Sequence, residues 1–180
     1  MKFKVFRFNK VKSTNNTAIR IIKKYNYEYG MILSNSQING RGQYGKKWIS
    51  YKGNLFVSFF YNLKNFNISL KKLTKANCLI VKKCISHYYK NKISFKSPND
   101  LMIKKKKICG ILQETVNKFN NKYLIVGIGI NLIKSPVIKN YPTTHLSQLI
   151  NKKIPKKKIE IKLKKIFENN LKKILRKKYA

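Results

Sequence analysis

Three glycines within six residues, Gly40, Gly42 and Gly45, constrain the fold of this chain most strongly. Each glycine costs a helix about 1 kcal/mol relative to alanine, so this segment cannot form a stable helix. Glycine also accepts positive φ and lets the backbone approach a ligand without an intervening Cβ. Successive backbone N–H groups in such a loop form a concave site for an anion. The segment therefore predicts an anion-binding loop.

Charged and aromatic side chains in the same segment strengthen that interpretation. Arg41 and Lys46 add positive charge, and an arginine can grip a carboxylate or phosphate through two parallel hydrogen bonds. Trp48 at the end of the loop offers a flat face for a ring. The alternative is a mobile glycine-rich surface turn, which would be favoured for an isolated Gly-x-Gly.

A second segment begins at Lys96 and contains Pro98. Proline fixes its own φ and pushes the preceding residue toward an extended conformation, so a strand should end at Lys96. Asn99 and Asp100 then project from a turn. The chain has only five acidic residues, and Asp100 and Glu114 both lie in this region. In a protein of formal charge +37, carboxylates at these positions indicate a specific role.

Lys107 opens a short apolar strand that contains Gly110, where a missing side chain permits the close approach of a ligand. Lys107 also belongs to a run of four lysines, residues 104–107, so a solvated surface lysine is the alternative. Composition alone favours that alternative.

The combination of motifs along the chain decides between these readings. In order they are Ser13-Thr14-Asn15, Gly40-Arg41-Gly42…Trp48, Pro98-Asn99-Asp100, Lys107-x-x-Gly110-Ile111-Leu112-x-Glu114, Gly127-Ile128-Gly129-Ile130-Asn131-Leu132 and Thr143-Thr144-His145-Leu146. This order and spacing resemble the biotin protein ligases over nearly the whole chain. Each motif is weak alone, but their common order is specific.

The resemblance implies an α+β fold: a mixed, largely antiparallel sheet with helices packed mainly on one face, similar to class II aminoacyl-tRNA synthetases. It implies an ATP-dependent, AMP-forming ligase that makes biotinyl-5'-AMP and passes biotin to one lysine of a biotin carboxyl carrier protein. ATP and Mg²⁺ would be required, with biotin as the substrate.

The resemblance also implies residue roles. The catalytic set would be Lys107, Arg41 and Asp100. Asp100 would belong to the magnesium shell or help to deprotonate the carrier lysine, and the sequence does not choose between these roles. The biotin pocket would comprise Ser13, Thr14, Asn15, Gln37, Gly40, Arg41, Gly42, Gln43, Lys107 and Gly110. The ATP site would comprise Arg41, Lys46, Trp48, Asn99 and Asn131.

Three positions depart from the family pattern. The glycine loop more often has a second arginine where this chain has Gln43, which puts retention of the adenylate in doubt. Ser97 stands where the family usually has a tryptophan before Pro-Asn-Asp. Lys46 replaces a common arginine, keeping the charge but losing the bidentate fork.

We expect residues 1–180 to form a single catalytic domain, since this length buries roughly 70% of the unfolded surface. As departures from the family pattern we expect no N-terminal DNA-binding domain and no small C-terminal β-barrel of the kind that many relatives carry, and therefore a minimal enzyme with weaker ATP binding. We also expect a cytoplasmic protein, because no segment reaches the roughly 20 apolar residues that cross a bilayer.

A pI near 10.3 would ordinarily indicate nucleic acid or an anionic membrane as partner. The lysines, however, are scattered through every segment, as an AT-rich genome would produce. We therefore expect no specific DNA and no membrane partner. An exposed sheet edge favours a homodimer and like-charge repulsion opposes one, so the oligomeric state stays open.

Three alternatives remain beside the biotin ligase. A lipoate or octanoate ligase or transferase of the same superfamily would share the fold and the carrier chemistry. A basic nucleic-acid-binding protein could retain the fold without catalysis. A decayed gene product would be folded and inactive.

The secondary-structure pattern predicts strands at 3–8, 31–36, 54–61, 93–96, 101–103, 108–116 and 123–132. It predicts helices at 15–24, capped by Ser13 or Thr14, from Ser69 to about residue 90, and from about 155 to 178.

Overall fold

One mixed sheet organises the chain, of which the computed structural model describes residues 2–64, 66 and 69–176. The strands of these residues are β1 (Lys4–Val11), β2 (Tyr29–Gln37), β3 (Gly40–Arg41), β4 (Lys47–Trp48), β5 (Leu55–Asn62), β6 (Ser94–Lys96), β7 (Asp100–Ile103), β8 (Lys106–Lys118) and β9 (Asn121–Ile130). The helices are α1 (Thr14–Lys24), α2 (Leu70–Ser86), α3 (Leu146–Ile150) and α4 (Lys156–Arg176).

Within the described residues the main sheet has seven strands in the order β1-β2-β5-β9-β8-β7-β6. β1 and β2 are parallel, and every other neighbouring pair is antiparallel. β3 and β4 form a separate hairpin. The predicted fold class, an α+β protein with a largely antiparallel sheet, is confirmed.

Helices cover both faces of this sheet. Leu73 of α2 and Phe167 of α4 belong to the larger core, whereas Ile22 of α1 packs in a second cluster with Phe60 and Ile125. Two of the three long helices therefore share one face, as expected, and α1 lies on the other. The reason is that β5 is buried along its whole length, and a strand apolar on both faces needs cover on both.

The predicted elements agree with the structure except near their ends. α2 ends at Ser86 rather than near residue 90, and the predicted end of the last helix at 178 lies outside the described residues. Ser13 occupies the N-cap position of α1, but its side chain makes no capping hydrogen bond. The side chain of Gln37 accepts from the Thr14 amide instead, at 2.8 Å. The short elements β3, β4 and α3 were not predicted.

Among the described helices, none is long and apolar enough to span a membrane.

A buried asparagine holds the segment that leaves β9. Asn54 Oδ1 accepts hydrogen bonds from the backbone N–H groups of Leu132 and Ile133 at 3.0 Å and of Lys134 at 3.3 Å. Its Nδ2 donates to the Lys134 carbonyl at 2.7 Å. Asn54 is fully buried, and its one side chain satisfies four backbone groups of residues 132–134.

Replacing Asn54 by alanine should lower the free energy of unfolding by about 2–4 kcal/mol, because it leaves buried backbone donors without an acceptor. Urea unfolding followed by far-UV circular dichroism measures the change. The control is Asn117→Ala at an exposed position of β8, which should cost under about 0.5 kcal/mol. Equal losses in the two variants would contradict the role of Asn54.

Candidate active site

The candidate site lies on the part of the sheet that α1 does not cover. Tyr123 and Ile125 of β9 pack against α1, and the next two residues on the same face of the strand are Gly127 and Gly129. Gly110 of β8 lies directly opposite Gly129. Since three glycines add no side chains to this face, the sheet is left bare beside the N-terminus of α1.

A cavity of about 770 Å³ occupies this bare area. Thirteen of the fifteen predicted site residues line it: Ser13, Thr14, Asn15, Gln37, Arg41, Gly42, Gln43, Lys46, Trp48, Asn99, Asp100, Lys107 and Gly110. They come from the start of α1, the glycine loop, the turn before β7 and the strand β8. Gly40 and Asn131 do not line it.

Trp48 covers the cavity floor. A Cβ on Gly110 would lie 2.7 Å from Cζ3 of the indole, and one on Gly129 would overlap the other end of the ring. The Trp48 side chain therefore packs directly on the Gly110–Gly129 pair. The sequence predicted close approach at Gly110, and in the structure the group that approaches is this ring.

The two predicted residues outside the cavity support it from behind. A Cβ on Gly40 would lie 2.5 Å from the Trp48 carbonyl oxygen, so glycine lets the hairpin close. Asn131 is buried, and its Nδ2 donates to the Thr144 carbonyl at 3.1 Å. Thr144 in turn donates its N–H to the Lys107 carbonyl at 2.9 Å. The predicted ATP contact of Asn131 remains a prediction.

The glycine loop is a tight hairpin between β3 and β4. Gly42 donates its N–H to the Lys46 carbonyl at 2.6 Å, and Gly45 has φ of 73°. Tyr44 at the tip is also left-handed, with φ of 53°, and its side chain is 89% exposed. The turn places Arg41 and Lys46 along the same cavity.

A hydrogen-bond network fixes the polar end of the cavity. Gln37 Oε1 accepts from the Thr14 hydroxyl at 3.1 Å, and its Nε2 donates to the Ser50 hydroxyl at 3.1 Å. The buried Ser58 hydroxyl lies 2.8 Å from Thr14 Oγ1 and donates to Asn15 Oδ1 at 2.5 Å. These bonds order the polar groups before any ligand arrives.

Lys107 and Asp100 form an ion pair at the other end, with Nζ 2.9 Å from Oδ1. The Tyr141 hydroxyl donates to Asp100 Oδ2 at 2.5 Å. Burial, with the hydrogen bond and charge of Asp100, raises the pKa of Tyr141, so this tyrosine stays protonated near neutral pH. The Lys107 ammonium also lies 5.4 Å from the ring centroids of Trp48 and Tyr141, within the range of cation–π attraction.

Sequence reasoning missed Ser58 and Tyr141 as parts of the site. Ser58 carried a usable signal, since it is a small polar residue between apolar neighbours in the strand Leu55–Asn62. Tyr141 carried none, because it is one of eleven tyrosines and reaches Asp100 only through the fold.

The described residues contain no group of three or more His, Cys, Asp or Glu side chains arranged to hold a metal ion. Asp100 is the one carboxylate that lines the 770 Å³ cavity in the described part of the chain. A single carboxylate suits an ion held mainly by substrate phosphates, as Mg²⁺ commonly is.

The fold brings a lysine and an arginine to one cleft. The biotin/lipoate A/B protein ligase family matches residues 5–131. The chain belongs to that family.

Two curated relatives show how much of a longer protein this chain matches. It is 30% identical over 153 residues to the bifunctional ligase/repressor BirA of Bacillus subtilis, covering 79% of this chain and 46% of that protein. It is 29% identical over 102 residues to BirA of Escherichia coli, covering 56% and 32%. The chain thus spans about a third to a half of these relatives.

Solved structures extend the likeness to nearly the whole chain. The biotin protein ligase of Aquifex aeolicus, in complex with biotin and ATP, has a TM-score of 0.82 and 32% identity, covering 97% of this chain and 72% of that one. Plasmodium falciparum LipL1 in complex with lipoate has a TM-score of 0.59 and 15% identity, which shows a common fold alone.

Gly129→Ala should displace the Trp48 indole from the sheet, because the added Cβ overlaps the ring. Trp48 is the only tryptophan of the chain, so the emission maximum should shift to the red as the ring enters water. Fluorescence spectroscopy measures this directly, with Asn117→Ala as the control. An unchanged spectrum from a folded Gly129→Ala protein would show that the ring does not rest there.

Proposed function

We propose that this protein activates biotin with ATP to biotinyl-5'-AMP and transfers biotin to a lysine of a biotin carboxyl carrier protein. The observation that carries the proposal is the shared cavity of Lys107 and Arg41, with ordered polar groups at one end and a tryptophan on its floor. The family match and the likeness to the Aquifex aeolicus biotin protein ligase support it.

The first step joins two anions. A biotin carboxylate oxygen attacks the α-phosphorus of ATP, a new P–O bond forms, and the bond to the β-phosphate oxygen breaks to release pyrophosphate. No proton needs to move, so the protein contributes positioning and charge neutralisation. Lys107 and Arg41 are the two cavity cations that carboxylates hold in place, and we assign both tasks to them.

Lys107 is already ordered for this role. Its backbone N–H donates to the Pro142 carbonyl at 2.8 Å, and its carbonyl accepts from Thr144. The ion pair with Asp100 holds the ammonium group between the Trp48 and Tyr141 rings. We infer that the carboxylate and the α-phosphate share this ammonium group when they bind.

The two ends of the cavity suit the two substrates. Ser13, Thr14 and Gln37 supply donors and acceptors for a neutral ureido ring at the end beside α1. Lys46 and Asn99 line the same cavity and would bind the nucleotide, with its adenine ring against Trp48. Asn99 is already engaged, since its Nδ2 donates to the Ile111 carbonyl at 2.8 Å.

The second step needs a proton acceptor. The carrier lysine attacks the carbonyl carbon of the mixed anhydride, an amide forms, AMP leaves, and the amine loses a proton. We infer that Asp100 either takes this proton or acts in the first step instead, where it would hold a phosphate-bound Mg²⁺ whose charge would neutralise the departing pyrophosphate. A carrier protein and ATP as substrates are consistent with a cytoplasmic enzyme.

The decisive test is biotin-dependent exchange between pyrophosphate and ATP. The wild type should exchange, and Lys107→Ala should lose the exchange by about 100-fold or more, because one fixed charge at the reacting atoms is removed. Lys106→Ala is the matched control, since this neighbour is exposed and should retain activity.

Each other result points to one of the alternatives. Exchange with lipoate and not biotin would place the chain among the lipoate ligases of its family. If a folded sample shows no exchange with either acid, the result would contradict the ligase proposal and favour a decayed enzyme. Tight, salt-sensitive binding of DNA or RNA in that sample would favour the nucleic-acid-binding alternative.

Gln43 at the hairpin predicts imperfect retention of the adenylate. In a mixture of exposed proteins we expect biotin on lysines other than the carrier lysine, and Gln43→Arg should reduce this off-target labelling several-fold. Peptide mass spectrometry of the labelled mixture measures both. Labelling confined to the carrier lysine in the wild type would contradict this prediction.

A further inference from the structure

One glutamate connects the glycine loop to the start of α1. Glu114 of β8 accepts from Arg41 Nη2 at 2.5 Å through Oε2 and at 2.8 Å through Oε1. The same Oε2 accepts from Asn15 Nδ2 at 2.7 Å. A single carboxylate therefore holds one residue of the glycine loop and one residue at the start of α1.

Glu114 is the main polar tether of the loop. In the described part of the chain, the Arg41–Glu114 pair is the only salt bridge that joins residues 40–48 to the sheet. The other side-chain hydrogen bond to this loop is a weak one, from the Ser50 hydroxyl to the Trp48 carbonyl at 3.4 Å. The orientation of the Arg41 side chain therefore depends on Glu114.

Arg41 keeps donors for a ligand while it is held. Both contacts with Glu114 use Nη2, and the buried Nε has no hydrogen-bond partner among the described residues. A guanidinium group has five N–H donors, so an anion can bind the same side chain without displacing the glutamate. Arg41 is therefore held by the protein while it keeps donors for a ligand.

Asn15 is fixed by the same carboxylate. Ser58 donates to its Oδ1 at 2.5 Å, while Glu114 accepts from its Nδ2. A donor on one side and an acceptor on the other determine which way the amide points. Both ends of the Asn15 amide are thus hydrogen-bonded within the protein. We infer that this side chain has a supporting part in the predicted biotin pocket.

We propose that Glu114 is a positioning residue that orients Arg41 toward the phosphate of the adenylate and couples that orientation to the biotin end through Asn15. This role rests on the proposed function for its catalytic consequence. A part-exposed ion pair adds little to stability, so loss of Glu114 should disturb the ligand site more than the fold.

Two variants separate the contacts. Glu114→Gln can keep its carbonyl oxygen at the Oε2 position, where it accepts from both Asn15 and Arg41, but it loses the negative charge and turns an NH₂ donor toward Arg41 in place of Oε1. Glu114→Ala removes both contacts. Glu28→Gln is the matched control, because it removes the same charge from an exposed glutamate far along the chain.

Equilibrium dialysis with AMP tests the positioning role without turnover. Glu114→Gln should bind AMP several-fold more weakly than wild type, and biotin about equally, whereas Glu114→Ala should weaken both. In an Arg41→Gln background, Glu114→Gln should change AMP binding less than about twofold, because the partner through which it acts is gone. The exchange kcat of Glu114→Gln should fall about 10- to 100-fold, the cost of a misplaced group.

Tighter AMP binding by Glu114→Gln would overturn the proposal, since it would show that the glutamate competes with the ligand for Arg41. Equal losses with and without Arg41 would also overturn it, because Glu114 would then act through another group. Wild-type protein that binds AMP but shows no biotin-dependent exchange would reject the proposed reaction, and the dialysis cycle would still decide the role of Glu114.

Discussion

The bare face of β8 and β9 is the constraint on which the rest of this structure depends. Gly110, Gly127 and Gly129 lie on the face that α1 covers farther along, and they leave room where a side chain would stand. Trp48 fills part of that room, and a Cβ on Gly127 would overlap the Asn15 side chain. The cavity exists because α1 packs only on the part of this face that carries side chains and does not cover the three glycines. If side chains continued along this face, apolar groups would pack against its full length.

Carboxylates are scarce in this chain. Four of the five contact a group on another segment of the chain. Glu160 pairs with Arg7 at 2.7 Å, and Glu168 accepts the Phe3 amide at 2.9 Å, so both link α4 to the first strand. Asp100 and Glu114 instead pair with Lys107 and Arg41 of the site. With a formal charge of +37, cations are available everywhere, and the carboxylates determine which of them are held in place. This local pairing gives Lys107 and Arg41 defined positions among the many cations of the chain.

The predictable part of the site consists of residues in local motifs. The glycine loop, the Pro98 turn and the start of β8 each restrict their own backbone, and together they account for most of the cavity lining. Asn131 belonged to an equally clear motif, yet the structure buries it behind Lys107, where it supports Thr144. A motif reports that a position is restricted, but it does not distinguish a ligand contact from a supporting hydrogen bond. That distinction depends on which neighbour the fold brings within 3 Å.

The amino-acid sequence by itself determined the main strands, the long helices, the position of the glycine loop and the set of groups available for chemistry. These follow from interactions between residues close in the chain: glycine content, proline geometry and the period of apolar residues. Only the tertiary structure decided that α1 covers one face alone, that Tyr141 meets Asp100, and that Glu114 joins Arg41 to Asn15. These contacts join residues tens of positions apart. Their geometry depends on sheet register and helix packing, which no local pattern specifies.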